Sequence, residues 1–403
     1  MVIDSPVVQH REHKPRILVI SVRGFRFQVA NCSIYEFEDM LCSLEGAQLY
    51  APEQEFPVAR AMYRAAKYAT RSDRIASAVS PFPTEILLEN EYDFLFAVLD
   101  NPWQMHLLES VKNWRDKCRY KACYIMETWK PSFDDWRLAY EPFKNFDRIF
   151  SGTVHCVEAL AKATGVPCDY LPPGVNALKF CPYPNQQQRV IDVCCVGRRS
   201  PKVHRSLFQH SQQDHCFYYY YDTVKNQNLE IENAQEHRAK LISLLQRSRY
   251  NIAAHAKFNS IKETGGCQEI GSRFFEGVAA GTVMLGLPPK GNAFQRYFDW
   301  EDAVVKVDFQ QQDVLDIIQE FDAQPEKIAS ISHRNIVNAL LKHDWVYRWR
   351  AVLAAFDFKP SQAVIEREQY LQTLAHSVNS VISPIIQQPS FTKPSEQSEI
   401  EIS

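Results

Sequence analysis

The sequence predicts an α/β protein built from two tandem doubly wound, Rossmann-like domains, followed by C-terminal helices. Two observations carry that prediction. From residue 16 onward, continuous apolar runs alternate with helix-period segments, the pattern of parallel strands covered on both faces. The alternation stops at KFCPYPNQQQRV (179–190), where two prolines and polar residues intervene, and then resumes, which marks a domain boundary. A third observation singles out one place in the fold. Seven of the 13 glycines fall between 265 and 291, and glycine lets a chain turn tightly or bring its backbone close to a ligand.

In the first domain, residues 15–178, RILVISV (16–22) reads as a buried strand and EFEDMLCSL (36–44) as an amphipathic helix. AQLYAP (47–52) is a second strand, followed by the helical stretch PVARAMYRAAKYATR (57–71). YDFLFAVLD (92–100) and KACYIME (121–127) read as strands, WQMHLLESVKNWRDKC (103–118) and WRLAYEPFKNF (136–146) as helices. DRIFSG, VHCVEALAKATG and CDYLPPGV close the domain as strand, helix and strand. In the second domain, residues 179–344, the strands are IDVCCVG (191–197), HCFYYYYDT (215–223), NIAAH (251–255), TVMLGL and DAVVKVDF. Its helices are KLISLLQRS, SRFFEGVAAG (272–281), DVLDIIQEF and KIASISHRNIVNALLKHDW. Residues 345–380 are helical, 1–14 read as a flexible N-terminus, and the polar, proline-containing 381–403 as a disordered tail.

A 403-residue chain exceeds the usual size of one core. With 45% apolar and 12% aromatic residues it is neither collagen-like nor mostly disordered. Its 45 basic and 48 acidic residues give a net charge of −3, so nothing draws it as a whole toward nucleic acid. No apolar run reaches the roughly 18 residues of a spanning helix, and MVIDSPVVQHREHK lacks the apolar core of a signal peptide. Contact with a membrane surface stays open, as does the oligomeric state. Eleven cysteines without repeated spacing predict reduced thiols in a cytoplasmic compartment.

In doubly wound sheets the ligand lies beyond the carboxyl ends of the strands, so the residues after each strand are the candidates. The glycine window reads as a loop, a helix capped by Ser272, and a strand. Gly265, Gly266 and Gly271 would let backbone amides gather at the helix start, a ready anion site. Phe274, Phe275, Val278 and Ala279 form one apolar stripe, with Arg273 and Glu276 on the opposite side. There Glu276 either accepts hydrogen bonds from the vicinal hydroxyls of a sugar or lies solvated. A second candidate is the basic loop Gly197-Arg198-Arg199-Ser200-Pro201-Lys202, where fixed cations would stabilise a leaving diphosphate. In the first domain the candidates are Arg23-Gly24-Phe25, Asp100-Asn101 and Glu127-Thr128-Trp129. Glu127 or Asp100 is a candidate base and Trp129 a platform for a sugar ring, unless the acids only cap the following helices. FYYYYD (217–222) reads as a buried strand rather than a nucleic-acid platform, and His255 as a core histidine. No Asp-x-Asp, Cys-x-x-Cys or His-Glu-x-x-His is present, which argues against a metal site.

SRFFEGVAAGTVMLG resembles the C-terminal signature of GT-B glycosyltransferases, in the broad retaining group with a paired-glutamate motif. It is particularly similar to the glycosyltransferases related to spore-maturation proteins. FSGTVHCVEALAKATGVPCDYLPPGVN, CCVGRRSPKVH and HDWVYRWRAVL resemble, in order, the end of the family's first domain, the opening of its second and its terminal helix, and the family's architecture implies that the C-terminal helices, 345–380, cross back onto the first domain. The resemblance implies a metal-independent, retaining hexosyltransferase whose nucleotide-diphosphate sugar is a co-substrate, with no further cofactor. It places Glu276 at the second glutamate, on the ribose, and Arg198 and Lys202 on the donor diphosphate. The first glutamate's position holds Gln268, with Glu269 adjacent. The catalytic candidates are therefore Arg198, Lys202 and Glu269. The donor-binding ones are Gly197, Gly265, Gly266, Gly271, Ser272, Arg273 and Glu276, and the acceptor side is Asp100, Glu127 and Trp129. Two alternatives on the same fold are a catalytically inert nucleotide-sugar-binding or scaffold protein, suggested by Gln268, and a nucleotide-sugar epimerase.

Overall fold

A computed structural model of the chain describes residues 16–23, 28–51, 57–71, 75–76, 79, 86–133, 140–222 and 231–382. The expected flexible N-terminus, Gly24, Phe25 and the tail beyond residue 382 lie outside the described residues. Two parallel sheets organise the rest. The first contains β1 (Ile17–Ser21), β2 (Gln48–Tyr50), β3 (Tyr92–Leu99), β4 (Cys118–Ile125), β5 (Arg148–Ser151) and β6 (Cys168–Tyr170), in the order β2-β1-β3-β4-β5-β6. The second contains β7 (Ile191–Cys195), β8 (Tyr219–Tyr221), β9 (Ser248–Ala254), β10 (Val283–Leu287) and β11 (Val305–Lys306), in the order β11-β10-β9-β7-β8. All pairings are parallel. The central strands are mostly apolar because helices cover both faces; all five residues of β1, ILVIS, are buried.

The longer helices are α1 (Cys32–Glu45), α2 (Pro57–Thr70), α3 (Val157–Thr164), α4 (Pro201–Gln213) and α5 (Ala234–Gln246). They continue with α6 (Ser272–Ala279), α7 (Val314–Asp322), α8 (Pro325–Lys342), α9 (Trp345–Ala354) and α10 (Gln362–Ile382). Helix α1 buries Ile34, Phe37 and Leu41 against the first sheet and ends at Gly46, whose φ of 62° provides the left-handed cap. Asn233 Oδ1 accepts from the Gln235 amide at 2.9 Å and caps the start of α5.

Two expected helices differ. Residues 103–118 form a 3-10 segment, Pro102–Ser110, and one α turn, Trp114–Lys117. Here the Asn113 side chain accepts from the Leu88 amide at 2.8 Å and donates to its carbonyl at 2.9 Å. A side chain that pairs like a strand neighbour draws this stretch out of helical geometry. Of 136–146, residues 136–139 lie outside the described residues, and Glu141–Asn145 is a 3-10 turn with Pro142 near its start. Proline lacks the N–H an α-helix interior requires. The strand expected at 215–223 narrows to three residues at the sheet edge, with Tyr219 buried and Tyr218 half exposed.

One apolar core runs from the first sheet through α9 and α10 to Phe274 and Phe275 of α6, and a second core fills the other face of the second sheet. Trp345 stacks on Phe37 of α1 with ring centroids 4.6 Å apart, and Trp349 donates its indole N–H to Glu45 at 2.8 Å. The terminal helices thus rest on the first domain.

Candidate active site between the two sheets

Parallel strands leave their carboxyl ends on one edge of each sheet, and in this chain the two edges meet. Glu127 and Trp129 follow β4, Val154 and His155 follow β5, and all four face the loop that follows β9. Lys257 of that loop pairs with Glu127, and with Glu263 at 3.0 Å, while its ammonium lies 5.6 Å from the Trp129 ring centroid. Burial lowers the Lys257 pKa, but the two carboxylates outweigh it and hold the group above its usual value. Gly265 lies so near Pro131 that an added Cβ would come within 2.9 Å of the ring. Glu269 crosses to the first domain, where its carboxylate accepts from the amides of Val154 at 3.0 Å and His155 at 2.9 Å. His155 Nδ1 lies 2.8 Å from the same carboxylate. Burial pushes the Glu269 pKa up against these donors.

The basic loop lies beside this contact. Arg198 follows β7 and donates to Asn259 Oδ1 and Ser260 Oγ, both at 2.9 Å, so its guanidinium is tied to the turn that carries Lys257. Lys202, in the first turn of α4, is exposed and donates to the Gln310 carbonyl at 2.7 Å. Gly197 has φ +87° and donates its amide to Asp222 at 2.9 Å, and the Arg199 guanidinium donates to the same carboxylate.

Helix α6 requires two corrections. Its N-cap is Gly271, in extended backbone with Phe274 N–H donating to its carbonyl at 3.2 Å; Ser272 is already helical. A Cβ on Gly271 would stand 3.3 Å from the Ala254 carbonyl, so this cap leaves little room for a side chain. Glu276 is not solvated: it is 1% exposed and pairs with both Arg238 and Arg273. Burial would raise its pKa, but the guanidiniums of Arg273 and Arg238 hold it at about 2. Arg238 also binds Glu36 of α1 at 2.6 Å, so the cluster joins the two domains. Both oxygens of the carboxylate expected to meet a ribose are thus engaged. Gly265 and Gly266 have φ of +62° and +79° and end the helical turn Ile261–Thr264.

On the first sheet, Trp129 is 3% exposed and its indole N–H donates to Glu127. Buried beneath the Lys257 ammonium, the ring is no open sugar platform in this arrangement. Asp100 is nearly buried and accepts from Asn101 Nδ2 at 3.1 Å. Beside it, Glu38 of α1 accepts from Ser21 Oγ at 2.7 Å and from Arg23 Nε at 2.6 Å, and its complete burial pushes its pKa up to about 7. His255, half buried, has its pKa lowered by burial. Among the described residues no group of three His, Cys, Asp or Glu is placed to hold a metal ion, and no helix is long and apolar enough to cross a membrane.

Lys257, His155, Arg238 and Glu36 were not among the expected site residues. Lys257 and His155 each follow a strand, so the rule that selected Arg198 also points to them. Arg238 and Glu36 sit within helices and carry no local signal.

Comparison with known proteins agrees with this architecture. Residues 199–354 match a family model described as glycosyl transferase-like. Anabaena HepE, solved with UDP and glucose, superposes with a TM-score of 0.51 at 9% identity, covering 85% of this chain and 99% of its own. An alpha-glucosyltransferase in complex with UDP and a 13-mer DNA containing an HMU base gives 0.51 at 10% identity, with coverage of 85% and 99%. A UDP-forming alpha,alpha-trehalose-phosphate synthase from Burkholderia vietnamiensis gives 0.50 at 12% identity, again with 85% and 99%. No curated protein sequence matches the chain. The chain therefore has the GT-B fold of the glycosyltransferases, and its residues 199–354 carry a glycosyl transferase-like sequence.

Proposed function

We propose that the protein is a glycosyltransferase that takes a hexose from a nucleoside diphosphate sugar and passes it to an acceptor hydroxyl held against the first sheet. The observation that carries this reading is the facing of the two carboxyl edges, with Arg198 fixed beside the junction by Asn259 and Ser260. Transfer breaks the bond from sugar C1 to the phosphate oxygen, and the electron pair leaves with the diphosphate. The acceptor oxygen forms the new bond to C1 and gives its proton to the departing diphosphate oxygen. Arg198, a permanent cation able to grip phosphate bidentately, stabilises the departing charge. The amides at the start of α6 are suited to the same anion. Uridine is the base we propose, since HepE and the trehalose-phosphate synthase are described with UDP. Retention of configuration and independence from metal rest on the sequence resemblance. Lys202 must leave the Gln310 carbonyl, and Glu269 the Val154 and His155 amides, before either can act.

Calorimetric titration tests the reading. UDP is expected to bind the wild type, and Arg198→Ala to weaken it by about tenfold or more, the worth of a charged hydrogen bond. If neither UDP, UDP-glucose nor any other nucleoside diphosphate binds, the reading fails. A second reading, an inert nucleotide-sugar-binding protein, is favoured by the engagement of Glu269 and Glu276 and by Gln268, which accepts from the Lys290 amide at 2.9 Å. Donor binding without release of sugar, with water or any acceptor, would select it.

A further inference from the structure

We propose that Lys257 is a ligand of the donor diphosphate, and that its pair with Glu127 is a resting contact which the diphosphate replaces. This inference rests on the function proposed above. Three observations support it. Lys257 adopts φ +50°, a left-handed backbone that a lysine enters at a cost and a glycine does not. The turn it opens, closed by Ser260 N–H donating to the Lys257 carbonyl at 2.8 Å, is the one that anchors Arg198. Both cations therefore meet at one short loop, at the carboxyl ends of the adjacent strands β7 and β9.

The third observation is the balance of charge. One ammonium is shared by two carboxylates, and the lysine and Glu127 side chains remain about a quarter exposed, at 24% and 28%. An ion pair so open to water is a weak tie between domains. A diphosphate brings more charge and more acceptor oxygens than a carboxylate, and the four-carbon stem of lysine lets its point charge follow the better partner. Glu127 then keeps the Trp129 indole N–H and is freed from the cation at the mouth of β4. The ion-pair exchange would couple donor arrival to a change at the acceptor side.

The two partners make opposite predictions. Titration of the full-length wild type, Lys257→Met and Glu127→Gln with UDP, inorganic pyrophosphate and uridine separates them. Lys257→Met should weaken UDP and pyrophosphate about tenfold while leaving uridine unchanged. Glu127→Gln removes the competing charge and keeps the shape, so it should tighten UDP by roughly threefold or more. A UDP effect without a pyrophosphate effect would place Lys257 on the nucleoside instead, and overturns the proposal. So do variants that shift UDP affinity in the same direction, as loss of a purely structural tie would. Thermal melting checks that both fold; if Lys257→Met does not, the sign of the Glu127→Gln effect decides alone. Absence of any nucleotide binding by the wild type ends both the function and this inference. UDP binding that responds to Arg198→Ala but not to Lys257→Met or Glu127→Gln removes the inference alone.

Discussion

Arg238 holds Glu36 of the first domain with one nitrogen and Glu276 of the second with another, and Arg273 completes the group. Glu36, Arg238 and Glu276 are each less than a tenth exposed. Removing one charge from such a cluster leaves its partners desolvated and under-paired, which costs more than the intact pair contributes. Glu276→Gln is therefore expected to destabilise the protein by about 3–5 kcal/mol at neutral pH, read as a lower melting temperature. That differs from the sequence-based expectation of a ribose ligand, whose loss would weaken nucleotide binding and leave stability alone. The pH dependence follows from the pKa of about 2, depressed from 4.5 by the guanidiniums against the opposing effect of burial. The contribution of Glu276 is present above pH 4.5 and is lost as the pH falls toward 2. Glu38 acts in the opposite sense. Raised from 4.5 to about 7 by burial, it favours the fold below 4.5, and that contribution is lost as the pH rises through 7. Melting curves of the wild type and of Glu276→Gln across the acid range should converge as the pH falls through about 2, below which both carry a neutral side chain.

At the scale of elements, the glycine-rich window serves two different purposes. In β10, a Cβ on Gly286 would lie 1.7 Å from the Ala253 carbonyl of β9. Gly266, at φ +79°, has nothing within 4 Å of that position. Gly286→Ala must push apart a pair of hydrogen-bonded strands and should cost more than the roughly 1–3 kcal/mol of ordinary overpacking. Gly266→Ala should cost only about 1 kcal/mol, the penalty of a left-handed alanine. Paired thermal melts check the ordering, and equal shifts would contradict it. The elements most legible in the sequence are those with a strong helical period, such as α6, which reads as 272–281 and spans Ser272–Ala279; α5, which reads only from Lys240, begins at Ala234. The stretch 103–118 has a helical pattern of its own, yet the long-range bonds of Asn113 to Leu88 set its geometry. No local pattern reports a bond made 25 residues away.

At the scale of the whole molecule, α9 and α10 bind the two sheets into one body. Trp345 is fully buried between Phe37 of α1 and the segment that joins the domains, where a Cβ on Gly174 would approach its ring to 2.8 Å. Trp345→Ala should cost about 3–5 kcal/mol. Because the lost packing lies at the junction, calorimetry is expected to show one transition for the wild type and two for Trp345→Ala. The return of the terminal helices follows from the family resemblance, whereas the doubly wound pattern and the carboxyl edge of each sheet are legible in the chain itself. These two depend on the period of apolar residues and on turn chemistry, which neighbours in sequence decide. Which charged groups remain available at that edge is not legible. Lys257 meets Glu127, Glu269 meets the Val154 amide and Arg238 meets Glu36 and Glu276 only after the sheets have docked. Burial and ion pairing are properties of groups brought together from distant stretches of the chain, so tertiary structure alone assigns Glu276 to the junction and ties Arg198 to the loop that carries Lys257.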